Sequence, residues 1–243
     1  MKALVVGGSS GIGLSIVINL LGKGDCECIY VVDKVQFPEA YANNRVVYIS
    51  CDLSVGDYSC LEYARDIQAL FITAGFGHLK YFQELSEDYI QTSFSVNAIA
   101  PIQIIHQYYD RLLSKEDFYC AVMVSIAGRL SSPLFSVYSA TKAALSKFIE
   151  AVNVELDVQG SKNRILEVSP GSLKGTSFTG GSSQPELTAA LADELIHRAE
   201  NHEELFIPQY DEVFKGVIAR YEVDAHKYGV ESYWYKKKRL SQK

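Results

Sequence analysis

The chain has 243 residues, 48% of them hydrophobic and 21% charged, and carries a net charge of −6. That length suits one α/β domain, and the composition is globular, neither disordered nor membrane-spanning. The acidic balance excludes nucleic acid as the main partner, since phosphate binding wants a basic face.

The N-terminus, Met1-Lys2-Ala3-Leu4, leads straight into a strand-like run with no signal peptide ahead of it. Cys26, Cys28, Cys51, Cys60 and Cys120 are odd in number and form no C-x-x-C pair. The expectation is therefore reduced thiols in a cytoplasmic protein, with no metal site. The longest apolar stretches, such as Leu14 to Leu21, are too short to cross a bilayer, so no membrane partner is expected.

Strands are predicted at Ala3–Val6, Cys28–Val32, Arg45–Ile49, Ala69–Thr73, Tyr119–Val124, Arg164–Val168 and Leu205–Ile207. Helical stretches lie between them near 11–23, 57–66, 86–113, 137–159, 185–201 and 209–227. This alternation implies an α/β fold: a doubly wound, mostly parallel sheet with helices on both faces. A single domain over 1–243 is expected, with a substrate lid near 171–201 and a C-terminal helix and tail over 209–243. The run Lys236-Lys237-Lys238-Arg239 reads as a solvated tail.

The first strand ends in Gly7-Gly8-Ser9-Ser10-Gly11-Ile12-Gly13, and a helix follows at once. Such glycines let the backbone turn tightly and approach a pyrophosphate, which the helix N-terminus then attracts. Asp33 ends the second strand twenty residues after Gly13, where a carboxylate accepts hydrogen bonds from an adenosine ribose and repels a 2′-phosphate. NAD is expected over NADP, although Lys34 softens that repulsion. Asp52, after the third strand, either accepts from an adenine amino group or caps a turn.

Tyr138 and Lys142 are four residues apart at the start of a helix, hence on one face. A free tyrosine has a pKa of about 10, and a neighbouring ammonium favours the phenolate. Ser125 ends the fifth strand, at the carboxyl edge where open sheets place ligands. Its hydroxyl either holds a substrate carbonyl or satisfies its own backbone. Pro101, four residues after Asn97, has no N–H to offer the Asn97 carbonyl. That carbonyl either holds a water bridging to Lys142 or marks a simple kink.

Taken in order, Gly7/Gly11/Gly13, Asp33, Asp52, Ala74-Gly75, Asn97, Ser125, Tyr138/Lys142 and Pro170-Gly171 resemble the short-chain dehydrogenase/reductase family, in its short single-domain branch. The resemblance implies a Rossmann sheet and hydride transfer between NAD(H) and a small carbonyl or alcohol substrate. It makes Tyr138 the acid/base, Ser125 the residue that orients substrate, Lys142 the one that lowers the tyrosine pKa, and Asn97 a relay. Ser9, Ser10, Ile12, Lys34, Leu53, Ala74, Gly75, Pro170 and Gly171 would line the cofactor with the glycines and Asp33. A homodimer or homotetramer is implied too.

Three departures stand out. Ile72-Thr73-Ala74-Gly75 replaces the family's Asn-Asn-Ala-Gly, the stretch after Asp52 is short, and Phe206-Ile207-Pro208 runs into another helix in place of a Gly-rich ending. Two rival functions share these motifs: a dinucleotide-binding sensor without turnover, and a sugar-nucleotide epimerase, for which the chain is short. Arg129, Phe135, Phe76 and His78 lie in loops that could border the substrate pocket.

Overall fold

The structure, a computed structural model, describes residues 1–176, 178 and 182–240. Positions 177 and 179–181 of the expected lid, and 241–243 of the expected tail, lie outside the described residues.

Seven strands form one parallel sheet in the order β3-β2-β1-β4-β5-β6-β7. They are β1 (Lys2–Val6), β2 (Cys28–Asp33), β3 (Val46–Ser50), β4 (Ala69–Ile72), β5 (Tyr119–Met123), β6 (Ile165–Val168) and β7 (Leu205–Phe206). Each lies within a residue of its expected bounds at either end. Side chains alternate across a strand, so both faces of β1 are filled. Leu4 and Val6 join one apolar cluster and Ala3 and Val5 the other. A parallel sheet covered on both faces needs such uninterrupted apolar runs.

Helix α1 (Gly11–Lys23) starts at Ser10 and stops at Gly24, whose φ of 75° closes the last turn in the left-handed region. Its partner on that face is α6 (Pro185–Glu200), which buries Thr188, Ala192, Leu195, Ile196 and Ala199. This part of the expected lid segment thus lies in the core.

On the other face the expected helix 86–113 is broken into α2 (Glu87–Phe94), a wide π-helical turn (Ser95–Ile99), α3 (Ala100–Gln107) and α4 (Tyr109–Leu113). Ser86 caps α2 by accepting from Tyr89 N–H. The wide turn sits just ahead of Pro101, whose missing N–H and bulky ring disrupt an ordinary α-helical register. Helix α5 (Ser136–Val158) turns Tyr138, Lys142, Leu145, Ile149, Val152 and Leu156 inward at helical spacing. The 57–66 stretch forms only a 3₁₀ turn, Ser59–Ala64.

The C-terminal arm differs from expectation. After a π-helical turn (Tyr210–Phe214) come α7 (Lys215–Val223) and α8 (Ala225–Leu240). Residues read as a solvated tail therefore continue a helix. Phe214, Val217, Ile218, Tyr221 and Tyr228 pack on Ile126, Leu130 and Ile207. Trp234 stays 55% exposed. Among the described residues no helix is long and apolar enough to cross a membrane.

Candidate active site

Strand order reverses between β1 and β4, and the glycine loop sits at their carboxyl ends. A Cβ on Gly7 would lie 2.5 Å from the Ala74 amide nitrogen, and one on Gly13 would run into the Gly7 carbonyl. Gly11 has a different task. Its φ is +52° and its N–H, at the head of α1, donates to Ser183 Oγ at 2.7 Å. Ile12 and Leu53 are buried beside this loop and after β3 respectively.

Asp33 lies beside the loop, as its spacing implied. Its Oδ2 accepts from Ser9 N–H at 3.1 Å and its Oδ1 from Val35 N–H at 3.0 Å. Lys34 is exposed. The Ser9 hydroxyl is buried with no hydrogen-bond partner among the described residues. Asp52 Oδ1 accepts from the Ser54 hydroxyl and amide at 2.7 and 2.9 Å, which holds its carboxyl below the usual range. It therefore closes a turn.

Thr73, at the family's asparagine position, was not singled out in the sequence. Its hydroxyl lies 3.0 Å from the Val6 carbonyl and 3.2 Å from that of Gly7, tying the end of β4 to the glycine loop. Asn97 uses its side chain as a clamp. It accepts from Phe76 N–H at 2.9 Å, donates to Phe76 C=O at 2.8 Å, and reaches Thr141 Oγ1 at 3.3 Å. Gly75 is enclosed by this clamp, and a Cβ there would stand 3.1 Å from Asn97 Oδ1 and 3.3 Å from Lys142 Nζ.

Ser125, Tyr138 and Lys142 converge at the carboxyl end of β5. Ser125 Oγ accepts from Ala127 N–H at 3.1 Å and lies 3.4 Å from the Pro170 carbonyl. Ser139 donates to the Ala127 carbonyl, pinning the turn after Ser125 onto α5. The Tyr138 hydroxyl is pushed up to about 12 by burial, against the weaker opposing pull of its hydrogen bond with Ser125. Lys142 is buried, donates to the Met123 carbonyl at 2.8 Å, and is pushed down to about 7 by desolvation. Its Nζ stands 5.9 Å from the centre of the Tyr138 ring. Burial thus moves each group toward its neutral form.

Of the loop residues, Phe135 and Phe178 lie 5.8 and 5.0 Å from the Tyr138 ring. Phe76 and His78 group with Tyr89. Arg129 turns away from the tyrosine. Its Nε and Nη2 both bind Glu167 Oε1, at 3.0 and 2.8 Å, and Ser146 and Ser169 complete the buried carboxylate's shell. Gly171 meets Phe214, whose ring leaves no room for a Cβ.

A doubly wound parallel sheet, a glycine loop at its switch point and a Ser–Tyr–Lys group beside it define a Rossmann-type α/β protein. Residues 1–187 match the family described as short chain dehydrogenase, and the chain belongs to that family of oxidoreductases. The uncharacterized oxidoreductase TDA5 of Saccharomyces cerevisiae is 30% identical over 199 residues, 78% of this chain and 60% of that protein. A second uncharacterized yeast oxidoreductase, YDL114W, is 26% identical over 72% of this chain and 61% of its own length. The chain thus spans about six tenths of these relatives. Among solved structures, a short-chain dehydrogenase from Streptomyces avermitilis superposes with a TM-score of 0.73 at 22% identity, over 99% of both chains. A 4-hydroxyisoleucine dehydrogenase complexed with NADH and succinate gives 0.70 at 20% identity, over 84% of this chain and 96% of that one.

Proposed function

We propose that the chain is an NAD(H)-dependent oxidoreductase acting on a carbonyl or alcohol carbon, with Tyr138 exchanging the proton at the substrate oxygen. The observation that carries this reading is the convergence of Ser125, Tyr138 and Lys142 at the carboxyl end of β5, where the lysine binds the Met123 carbonyl and its Nζ stands 5.9 Å from the centre of the tyrosine ring.

The residues at the switch point fit a dinucleotide. The buried Ser9 hydroxyl lacks a partner among the described residues, and Ser183 Oγ accepts the Gly11 N–H where a phosphate oxygen would. A bound nicotinamide dinucleotide supplies the hydride donor or acceptor. Gly7, Ser9, Ser10, Gly11, Ile12 and Gly13 would hold its pyrophosphate end, and Asp33 its ribose, with the carboxylate disfavouring a 2′-phosphate. Ala74, Gly75, Pro170 and Gly171 would flank the remainder, and Leu53 the adenine.

Ser125 holds the substrate oxygen by hydrogen bonding, and Tyr138 gives or accepts the proton there. Lys142, desolvated behind the ring, lends positive charge that favours the phenolate once it is protonated, and binds the second ribose. Asn97 keeps the Gly75–Phe76 backbone in place, and its carbonyl, ahead of Pro101, holds a water on the proton path to Lys142. The reading also takes the chain as one domain, cytoplasmic and a homodimer or homotetramer.

The test is oxidation of NADH and of NADPH with a panel of ketones, aldehydes and quinones, comparing native protein with Tyr138→Phe. Turnover preferring NADH should fall by roughly 10² to 10⁴ in the variant, the usual worth of a positioned acid/base. Turnover surviving in Tyr138→Phe would refute the assignment. Tight dinucleotide binding with no turnover throughout would favour a sensor.

A further inference from the structure

Helix α8 brings a lysine against Phe135, the ring that neighbours Tyr138. Lys236 Nζ donates to Ser132 Oγ at 2.6 Å and stands 5.7 Å from the centre of the Phe135 ring. Phe135 lies 5.8 Å from Tyr138 and 6.3 Å from Phe178, to which it is stacked at 26°. The three rings thus form one apolar group, with Tyr138 beside Phe135 and the Lys236 ammonium against the Phe135 ring. Phe178 packs on both Phe135 and Tyr138, so a flat apolar ring is already a partner these two side chains take. Beneath it the backbone comes close: a Cβ on Gly77 would lie 2.8 Å from Tyr138 Cδ2 and 2.9 Å from Phe178 Cζ.

Lys236 is half-buried, yet among the described residues its contacts are neutral: a hydroxyl and the face of a ring. Lys147, Lys162 and Lys215, on exposed helix faces or turns, each have a carboxylate. A half-buried ammonium without a counter-charge is unfavourable, and burial pushes this one down to about 8. An anion delivered to it would relieve that penalty. One ammonium beside one hydroxyl matches the single charge of a carboxylate better than a dianionic phosphate.

We infer that Lys236, held by Ser132, recognises the substrate, which is a flat, aryl-like carbonyl compound with a carboxylate at the end remote from the reacting oxygen. The inference rests on Tyr138 marking the reacting end. Lys236 lies beyond residues 1–187, the part matched by the family, so the preference belongs to this chain's own arm.

The test compares 4-acetylbenzoate with its neutral methyl ester on the full chain, as wild type, Lys236→Met and Lys236→Arg. The acid-to-ester ratio of kcat/KM should fall about tenfold or more in Lys236→Met, chiefly through KM, and recover in Lys236→Arg; charge-assisted hydrogen bonds are typically worth roughly tenfold to a hundredfold. Calorimetric titration of 4-acetylbenzoate in the presence of NAD⁺ reads the same preference without turnover, and wild type should bind about tenfold more tightly than Lys236→Met. Equal ratios and equal binding in the two proteins would overturn the role of Lys236, while turnover of the ester would leave the Tyr138 reading standing. Discrimination in the titration with neither compound turned over would support Lys236 and count against the oxidoreductase reading. If neither protein binds or turns over the acid, the substrate class is wrong.

Discussion

The two ends of the site are made of different material. At the glycine loop, backbone meets backbone: Gly7 against Ala74, Gly13 against Gly7. At the far end the surface is mostly side chain, with Phe135, Phe178, Ser132 and Lys236 contributed by two loops and the last helix and the Gly77 backbone close beneath. A wall of backbone can be broken by one methyl group, whereas a wall of side chains can be exchanged piece by piece. The first end is therefore built for one ligand and the second for variation.

Gly13→Ala is the hardest blow to this contrast. The new methyl meets Gly7 backbone and Thr73, which have little room to yield, so urea unfolding should show a loss of about 3 kcal/mol, the upper part of the range for overpacking. A loss below about 1 kcal/mol would mean that the loop is pliable after all.

Lys142 sharpens the comparison through pH. Its folded pKa, near 7, lies below the ordinary lysine value, so between those values the unfolded chain binds more protons. Its contribution to stability therefore rises with pH across that window and is lost as pH falls through about 7. Lys142→Met should flatten this dependence, with a gain on the order of a few kcal/mol at pH 6 relative to pH 9 by denaturant titration. Parallel pH profiles for the two proteins would show that the ammonium is solvated.

Thr73→Val is the mildest test. The Val6 carbonyl already accepts from the Thr73 and Ala74 amides at 2.8 and 3.1 Å, so losing the hydroxyl leaves that acceptor satisfied. A thermal melt should report about 1 kcal/mol. A much larger loss would make the hydroxyl the main tie between β4 and the glycine loop.

What could be read from the sequence follows the same division. The seven strands were legible because doubly covered parallel strands are short, almost purely apolar runs, as in Ala69-Leu70-Phe71-Ile72. The glycine loop and the Tyr138–Lys142 spacing were legible because both are local in the chain. Helix α8 was not. Its polar, lysine-rich end resembles a tail, and what holds the arm, Tyr221 and Tyr228 against the turn after Ser125, is tertiary. The rise of the Tyr138 pKa was hidden for the same reason, since desolvation depends on neighbours remote in sequence. Pro101 did announce a disturbance, and the wide turn ahead of it is the form that disturbance takes.

Strand order has a consequence for how the chain is made. β1 precedes the other strands of the sheet in the chain, yet it ends in the middle of the sheet, with Ala3 paired to Ile29 on one side and Ala69 on the other. All the strand pairs are parallel, so no tight hairpin is available to start the sheet. β1 must wait for dozens of further residues to be made before its second edge is covered by β4. Such non-local pairing makes for slow folding and a nascent chain that benefits from chaperones during synthesis.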